Sequence, residues 1–445
     1  MTATDLLWSL AAEGVRLRLD GSRLAYDADP GALTPDRREL ILRHRADLVA
    51  SLSDEDGSVP VGFLPVTVQQ AANFQPLSGT AGDRETNIVA FHLSILLDPG
   101  RLEHAVERVV ARHPLLRCEF RRVGDGLACG IHRRAVVPVS VETADELPDV
   151  DRVVAGLGAD FEPDPGAVPP WRVHVVNHGG RSTIFLAMSY VISDGWSIHL
   201  LVDELVHFHQ GGTEGELPKP GDFGAWASTT PRPVARTGDL PTQVDSGAVA
   251  TRSRPAAFHR DEVASAARSR RTTLFGVLVA AYATAAAEAL RRDEITIAVP
   301  LSLRNDLSHE RIVGPLRHGV ALRFSFRGGD AEPARIAAAM ELARAEMRDA
   351  ASAGGAAGDD LRLRFNFLDF SARSRGSSPR VAADGDIVAS PGHFELKVYV
   401  WFDSTGRGVL KAVYGAASHS GSDVDDLLCA FERLVGLTTS EGGMA

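Results

Sequence analysis

Cysteine is scarce in this 445-residue chain: there are three, Cys118, Cys129 and Cys429. An odd number without metal-ligand spacing excludes a disulfide framework and a structural zinc site. The three read as small apolar residues or reduced thiols, as expected of a cytoplasmic protein. Long apolar runs are missing too, and none approaches the roughly 20 residues a membrane-spanning helix needs. The start, Met1-Thr2-Ala3-Thr4-Asp5-Leu6-Leu7-Trp8, has neither the basic segment nor the cleavable apolar core of a secretion signal. Positive charge is in deficit, with a formal net charge of −11. That argues against nucleic acid as a partner, because phosphate binding leans on clustered Lys and Arg. No fixed-period repeat is visible. What remains is an ordinary composition, 44% hydrophobic and 24% charged, on a chain long enough for two or three domains.

The first residues read as a small module of their own. Leu6, Leu7, Leu10 and Ala11 recur at helical spacing and Gly14 follows as a stop. Val15-Arg16-Leu17-Arg18-Leu19 alternates as a half-buried strand does. Asp20-Gly21 is a hairpin turn signal, and Arg23-Leu24-Ala25-Tyr26 is the return strand. Thr34-Pro35 starts a second helix, whose inner face is Leu40, Ile41, His44, Leu48 and Leu52. This module, residues 1–52, resembles the N-terminal docking domains of assembly-line synthetases. The resemblance implies that it binds the C-terminal tail of an upstream synthetase as an added strand. Arg16, Arg18 and Arg23 are the candidate docking residues for an acidic tail. Residues 53–62 are an acidic, glycine-containing linker, so the module is expected to be removable without unfolding the rest.

The main body alternates helices and strands. Strands are expected within Thr86–Leu97, over Leu115–Phe120 and over Ile184–Met188. Helices are expected over Pro99–His113 and Ile198–Gln210. Pro- and Gly-rich sequence makes residues 231–257 a linker between halves 63–230 and 258–440. The second half reads as helix Leu274–Arg291, strand Ile295–Val299, helix Ala334–Ala350, strands Arg362–Phe367, Phe394–Phe402 and Gly408–Tyr414, and helix Asp423–Leu437. The fold class is α/β, in two similar halves.

Ala187-Met188-Ser189-Tyr190-Val191-Ile192-Ser193-Asp194-Gly195-Trp196-Ser197 carries the most information. It resembles the active-site segment of nonribosomal peptide synthetase condensation domains, in which two histidines, three spacers and Asp-Gly are usually followed by Trp-Ser. Here Ser189-Tyr190 stands in place of the histidine pair. Arg112-His113-Pro114-Leu115-Leu116-Arg117-Cys118-Glu119-Phe120, Asp222-Phe223-Gly224-Ala225-Trp226, Val299–Arg304 and Val313–Arg323 resemble further motifs of that family, in its order. Two later family segments are not recognisable. The resemblance implies two chloramphenicol-acetyltransferase-like subdomains arranged as a V-shaped pseudo-dimer. It implies carrier-bound thioesters entering a tunnel from opposite faces, with the phosphopantetheine arms of carrier proteins as substrates and no bound cofactor. Nothing in the chain resembles an adenylation or carrier domain, so the carriers would belong to other proteins.

Amide formation from a thioester moves a proton off the attacking amine and stabilises an oxyanion. Histidine suits the first task; a phenol with an ordinary pKa near 10 does not. Tyr190 is left with hydrogen bonding or with filling the space of the imidazole. Ser189 lacks a neighbouring base in the sequence that would make it a nucleophile. By resemblance Asp194 pairs with Arg304 and holds the loop, Gly195 permits a tight turn and offers its N–H to the reacting carbonyl, and Trp196 and Ser197 pack and cap the next helix. His318 is a candidate replacement base, with His393 and His199 behind it. His207, His209 and Asp203 do not make a metal set. Two readings follow: an acyl or peptidyl transferase acting in trans with an atypical site, or a catalytically inactive platform that recruits carrier proteins or tailoring enzymes.

Overall fold

A computed structural model describes residues 2–54, 59–74, 86–160, 170–230, 249–304, 306–326, 334–343, 362–368, 387–389, 395–403 and 405–440. His393, residues 55–58 of the expected first linker and residues 231–248 of the second lie outside them. The chain divides into two compact units: Met1–Thr237 with Arg304–Leu316, and Gly238–Leu303 with Arg317–Ala445.

The first unit opens with α1 (Ala3–Ala12), β1 (Val15–Asp20), β2 (Arg23–Ala28), α2 (Pro35–Arg43) and α3 (Arg45–Leu52). The Thr2 hydroxyl accepts the Asp5 N–H at 3.1 Å while the Asp5 carboxylate accepts the Thr2 N–H at 2.9 Å, so α1 starts in a capping box. Gly14, at φ +83°, supplies the left-handed residue after it. The hairpin pairs Val15 with Ala28 through to Asp20 with Arg23. The single helix expected after Thr34-Pro35 is two, broken at His44, whose φ −103° and ψ 16° leave the helical range. Only α3 contributes fully buried residues, Leu48 and Leu52.

Arg16 is not available to a partner. It is 5% exposed, with its guanidinium on Asp29 at 2.6 Å and on Asp27 at 2.9 Å. The alternation that put all three arginines on the solvent face fails there because two carboxylates of the same module satisfy a buried charge. Arg18 and Arg23 are exposed.

Nor is the module a separable lobe. Its core of Leu6, Leu7, Trp8, Leu10, Val15, Leu17, Leu48 and Leu52 includes Phe63 and Ala128 from the body. These two lie on β3 (Gly62–Leu64) and β6 (Gly126–Ile131), which with β5 (Cys118–Val123) form a three-stranded sheet in the order β3-β6-β5. The Trp8 ring meets Phe63 edge-on at 5.2 Å and 87°, and the Arg121 guanidinium lies 4.3 Å from the Trp8 ring centroid. A Cβ at Gly130 would sit 2.6 Å from Pro60 and 2.7 Å from Trp8, so glycine is what allows this close approach. β5 itself starts at Cys118, because Pro114–Arg117 is a 3-10 turn rather than the expected start of a strand.

The rest of the unit comprises α4 (Val68–Asn73), β4 (Thr86–Leu93), α5 (Pro99–Arg112), β7 (Val139–Ala144), α6 (Val150–Asp160), β8 (Trp171–His178), β9 (Arg181–Ser189), α7 (Gly195–His209) and α8 (Phe223–Ser228). β4, β9, β8 and β7 lie side by side in that order; β7 runs parallel to β8, and the other pairs are antiparallel. Residues 182–189 of β9 are all buried. α5 and α7 pack on each other. Their inward residues include Leu102, Val106 and Val109 on α5 and Ile198, Leu201 and Leu205 on α7.

The second unit comprises β10 (Val249–His259), α9 (Arg260–Ser269), α10 (Leu274–Leu290), β11 (Glu294–Ser302), β12 (Arg317–Ser325), α11 (334–343), β13 (Leu363–Leu368), β14 (Ile387–Ala389), β15 (Leu396–Phe402), β16 (Arg407–Gly415) and α12 (Gly421–Ser440). Six strands form one sheet in the order β10-β16-β15-β13-β11-β12. β10, of which residues 249–257 are expected from sequence to be linker, is its edge strand. Pro255 is tolerated there because an edge strand can lack a donor, and the register shifts between Pro255 and His259. Alternate residues Leu396, Val398, Val400 and Phe402 join one core with α10 and α12. No single helix among the described residues is long and apolar enough to cross a membrane.

Gly130→Ala should destabilise the protein by about 1–3 kcal/mol, because the new methyl overpacks the Trp8 seat. Urea denaturation would show it as a lowered midpoint. An unchanged midpoint would mean that the module is not seated as described.

Candidate functional site

The site loop grows from a buried strand end. Ser189 closes β9, and its N–H reaches the Pro170 carbonyl at 3.0 Å. Its hydroxyl accepts the Val191 N–H at 3.3 Å, and its carbonyl accepts the Ile192 N–H and the Ser193 hydroxyl, both at 3.2 Å. Ser189 therefore organises the turn. Tyr190, half-buried, follows at its crest.

Asp194 caps α7. Its Oδ1 accepts the Ser197 N–H at 2.8 Å and the Ser197 hydroxyl at 2.7 Å. Gly195 is the first helical residue, so its part is to begin α7 rather than to occupy a left-handed turn. The Arg304 guanidinium pairs with both carboxylate oxygens of Asp194, one nitrogen on Oδ2 and the other 3.1 Å from Oδ1. The two side chains are 3% and 5% exposed. Arg304 also reaches the Ile312 carbonyl at 3.0 Å. Ser197 Oγ accepts the Gly314 N–H at 3.0 Å, and the Trp196 indole N–H donates to the Glu310 carbonyl at 2.7 Å. Asp194, Trp196, Ser197 and Arg304 thus come together, and Arg304–Leu316 is fastened to the start of α7.

The histidines separate. His318 lies on β12 opposite Leu301, in the second unit. His199 is buried; its Nδ1–H donates to the Gly195 carbonyl at 2.8 Å and its ring stands edge-on to Phe91 at 4.8 Å. His207 bonds the Thr213 carbonyl at 2.9 Å. His209 accepts the Asp98 N–H at 2.9 Å, and burial, then Arg101, lower its pKa. Among the described residues no group of three or more His, Cys, Asp or Glu side chains is placed to hold a metal ion.

Two features escaped the sequence reading. The first is a buried cluster in which Arg112 Nε lies 3.0 Å from Glu204 Oε1 and His113 Nε2 lies 2.7 Å from Glu204 Oε2. Arg112 also bonds Glu214 at 3.2 Å and the Pro218 carbonyl. Burial alone would raise the Glu204 pKa, but His113 and Arg112 outweigh it and hold the carboxyl below its ordinary range. A cavity of about 230 Å³ opens beside it, lined among others by Arg112, His113, Asp222 and Phe223. The second is Gln70, which is fully buried and donates from Nε2 to the Val191 carbonyl at 2.8 Å. The pattern Thr67-x-x-Gln70, a capping-box signature, was there to be read.

Residues 4–54 match the family model of the TubC N-terminal docking domain. Phosphinothricin tripeptide synthetase PhsB of Streptomyces viridochromogenes is 27% identical over 269 residues, 52% of this chain and 22% of that protein. Tyrocidine synthase 2 of Brevibacillus parabrevis is 29% identical over 255 residues, 51% of this chain and 7% of that protein. The chain thus spans about a fifth or less of the length of these relatives. Among solved structures, the condensation domain of the monacolin K polyketide synthase MokA superposes with a TM-score of 0.65 at 14% identity, covering 85% of this chain and 97% of that one. The epimerization domain TycB3(E) of tyrocidine synthetase B gives 0.63 at 15% identity, covering 87% and 99%. The chain has the condensation-domain fold, of the chloramphenicol-acetyltransferase-like type, behind an N-terminal docking domain.

Asp194→Ala should cost about 3–5 kcal/mol, since it leaves a buried guanidinium without its carboxylate. A melting midpoint equal to that of the parent would contradict the clamp. Glu204 should contribute to acid sensitivity. Its folded pKa is depressed, so its stabilisation is present above the unfolded value near 4.3 and is lost as pH falls through the folded one. Glu204→Gln should lower the midpoint at pH 7 and flatten its decline between pH 5 and pH 3; an equal decline in both proteins would exclude this role.

Proposed function

We propose that this protein is a condensation-type acyl or peptidyl transferase that acts in trans on carrier-bound thioesters. The observation that carries this reading is the intact clamp of Asp194, Ser197 and Arg304 around an Asp-Gly-Trp-Ser segment. The clamp holds the start of α7 and the turn that presents Tyr190 in one geometry, which is what transfer between two bound groups asks of a site. The amine nitrogen of one carrier-bound group attacks the thioester carbon of another. The C–S bond breaks, the amide forms, and the proton lost by nitrogen leaves on the thiol. No base at position 190 is needed if the departing sulfur takes that proton and the reactants are held in line. Tyr190 shapes the pocket and can donate a hydrogen bond; Ser189 holds the turn; the Gly195 N–H and His318 remain candidates for oxyanion stabilisation and proton transfer.

The hairpin supplies the partner. Among the described residues β2 pairs with no strand other than β1, and the exposed Arg23 begins β2 while the exposed Arg18 lies on β1. An acidic C-terminal tail of an upstream synthetase fits that edge as an added strand. The carriers bring the phosphopantetheine arms, and the setting is cytoplasmic. Ser189-Tyr190 in place of the histidine pair favours a second reading, a platform that binds carriers without turnover.

The test loads donor and acceptor carriers and follows the amide by mass spectrometry. Tyr190→Phe should retain activity within about tenfold, short of the roughly 10²–10⁴-fold that a positioned general base contributes. His318→Ala, run alongside, tests a relocated base. A collapse in Tyr190→Phe with carrier binding intact would make the phenol catalytic. Absence of product from the unmodified protein with its true carriers would favour the platform.

A further inference from the structure

We infer that Gln70 is a positioning residue for the Tyr190 loop, and that its own support is the seat of the docking module, so that the module is part of the site's scaffold. The inference rests on the reading of Ser189–Asp194 as the site, and its test does not require turnover.

The chain of contacts lies within the first unit. Trp8, 1% exposed, packs edge-on against Phe63 of β3. β3 ends at Leu64, and only Pro65 and Val66 separate it from Thr67, the N-cap of α4. Gln70, in the first turn of α4, faces two ways. Its Oε1 accepts the Thr67 N–H at 3.1 Å and closes the capping box. Its Nε2 donates to the Val191 carbonyl at 2.8 Å, in a sequence-distant segment. Val191 directly follows Tyr190, and its N–H is the one held by the Ser189 hydroxyl. One amide side chain therefore joins the helix start that follows the seat to the turn that presents Tyr190.

The physics favours a stiff tether. Gln70 is fully buried, so both halves of its amide lose water and must be repaid by protein partners. Thr67 is 3% exposed, so the cap is dry as well. Arg304 and Asp194 hold the far end of the loop, while Gln70 holds its middle. Loss of the seat would not break the tether directly. It would release the strand that fixes where α4 begins.

Substitution at one position separates the two jobs of Gln70. Gln70→Glu keeps the acceptor that closes the box and, in its ionised form, removes the donor to Val191; burial against a carbonyl favours the protonated form, so exchange is read at alkaline pH, where the carboxyl is ionised. Gln70→Met removes both. The experiment is amide hydrogen exchange on the full chain without substrate, read on peptides covering 189–197, with α12 as an internal reference. Gln70→Glu should speed exchange in the loop peptide at least tenfold and leave α4 and α12 unchanged; Gln70→Met should speed both loop and α4. Trp8→Ala should speed the loop peptide as well as the module. Should Trp8→Ala fail to fold, Arg121→Ala, which removes the guanidinium over Trp8 together with its ion pair to Glu119, should give a smaller acceleration of the same peptides. Arg38→Ala, on the exposed face of α2, should alter neither. Unchanged loop exchange in Gln70→Glu would overturn the tether. Acceleration confined to residues 2–54 in the Trp8 or Arg121 variants would overturn the link to the seat. Where carriers give product, Gln70→Glu should lower kcat with little change in KM. Lack of product altogether, with the exchange pattern as expected, would count against the transferase reading alone.

Discussion

The ion pair between Asp194 and Arg304 is the constraint on which the first unit's functional end depends. Asp194 does two jobs with one carboxylate: Oδ1 caps α7, and both oxygens meet the guanidinium. Helix capping and ion pairing usually draw on separate residues. Combined, they make the start of α7 and the placement of Arg304–Leu316 one event. By sequence that segment lies between β11 and β12 of the second unit, yet it is part of the first. Ser197 and Trp196 add direct bonds to its backbone at Gly314 and Glu310. A buried pair contributes little net stability over an apolar equivalent, but breaking it is costly. Its value here lies in fixing a geometry.

Much of this was legible in the sequence because it is local. Thr2, Thr34-Pro35 and Asp98-Pro99 each mark a helix start, and the helices begin there. Asp20-Gly21 marks the hairpin turn. The helix expected from Ile198, with Trp196 and Ser197 as its cap, instead starts at Gly195 with Asp194 as the cap. What failed depended on distant partners. Arg16 looks like an exposed strand residue until Asp27 and Asp29 fold back on it. Residues 249–257 look like linker because their Pro and Arg residues are acceptable only at a sheet edge, and an edge is a property of the assembled sheet. Glu204 carries no sign in its neighbours that Arg112 and His113 will close on it across the α5–α7 contact.

The N-terminal module folds on a core that it shares with the body. A two-stranded hairpin is marginal in water unless its inner face is covered. Here that face is covered from within, by α1, α3, Phe63 and Ala128. The hairpin thus does not need a partner in order to fold, and among the described residues β2 pairs with no strand other than β1. The glycine at position 130 is the local condition for this arrangement: a side chain there would push Trp8 and Pro60 away and separate the module from the sheet.

The change from histidine to Tyr190 is best judged by magnitude. A positioned general base contributes roughly 10²–10⁴-fold, or about 3–5 kcal/mol of barrier. Orientation of two reactants can supply about 7–11 kcal/mol. A site that keeps its loop geometry but loses its base therefore retains the larger of the two contributions. The residues preserved here are the ones that hold geometry: Asp194, Ser197 and Arg304 at the helix start, Ser189 within the turn, and Gln70 on the loop carbonyl. The substitution falls on the residue type that moves protons. Under the transferase reading proposed above, the leaving thiolate, rather than a side chain, receives the proton.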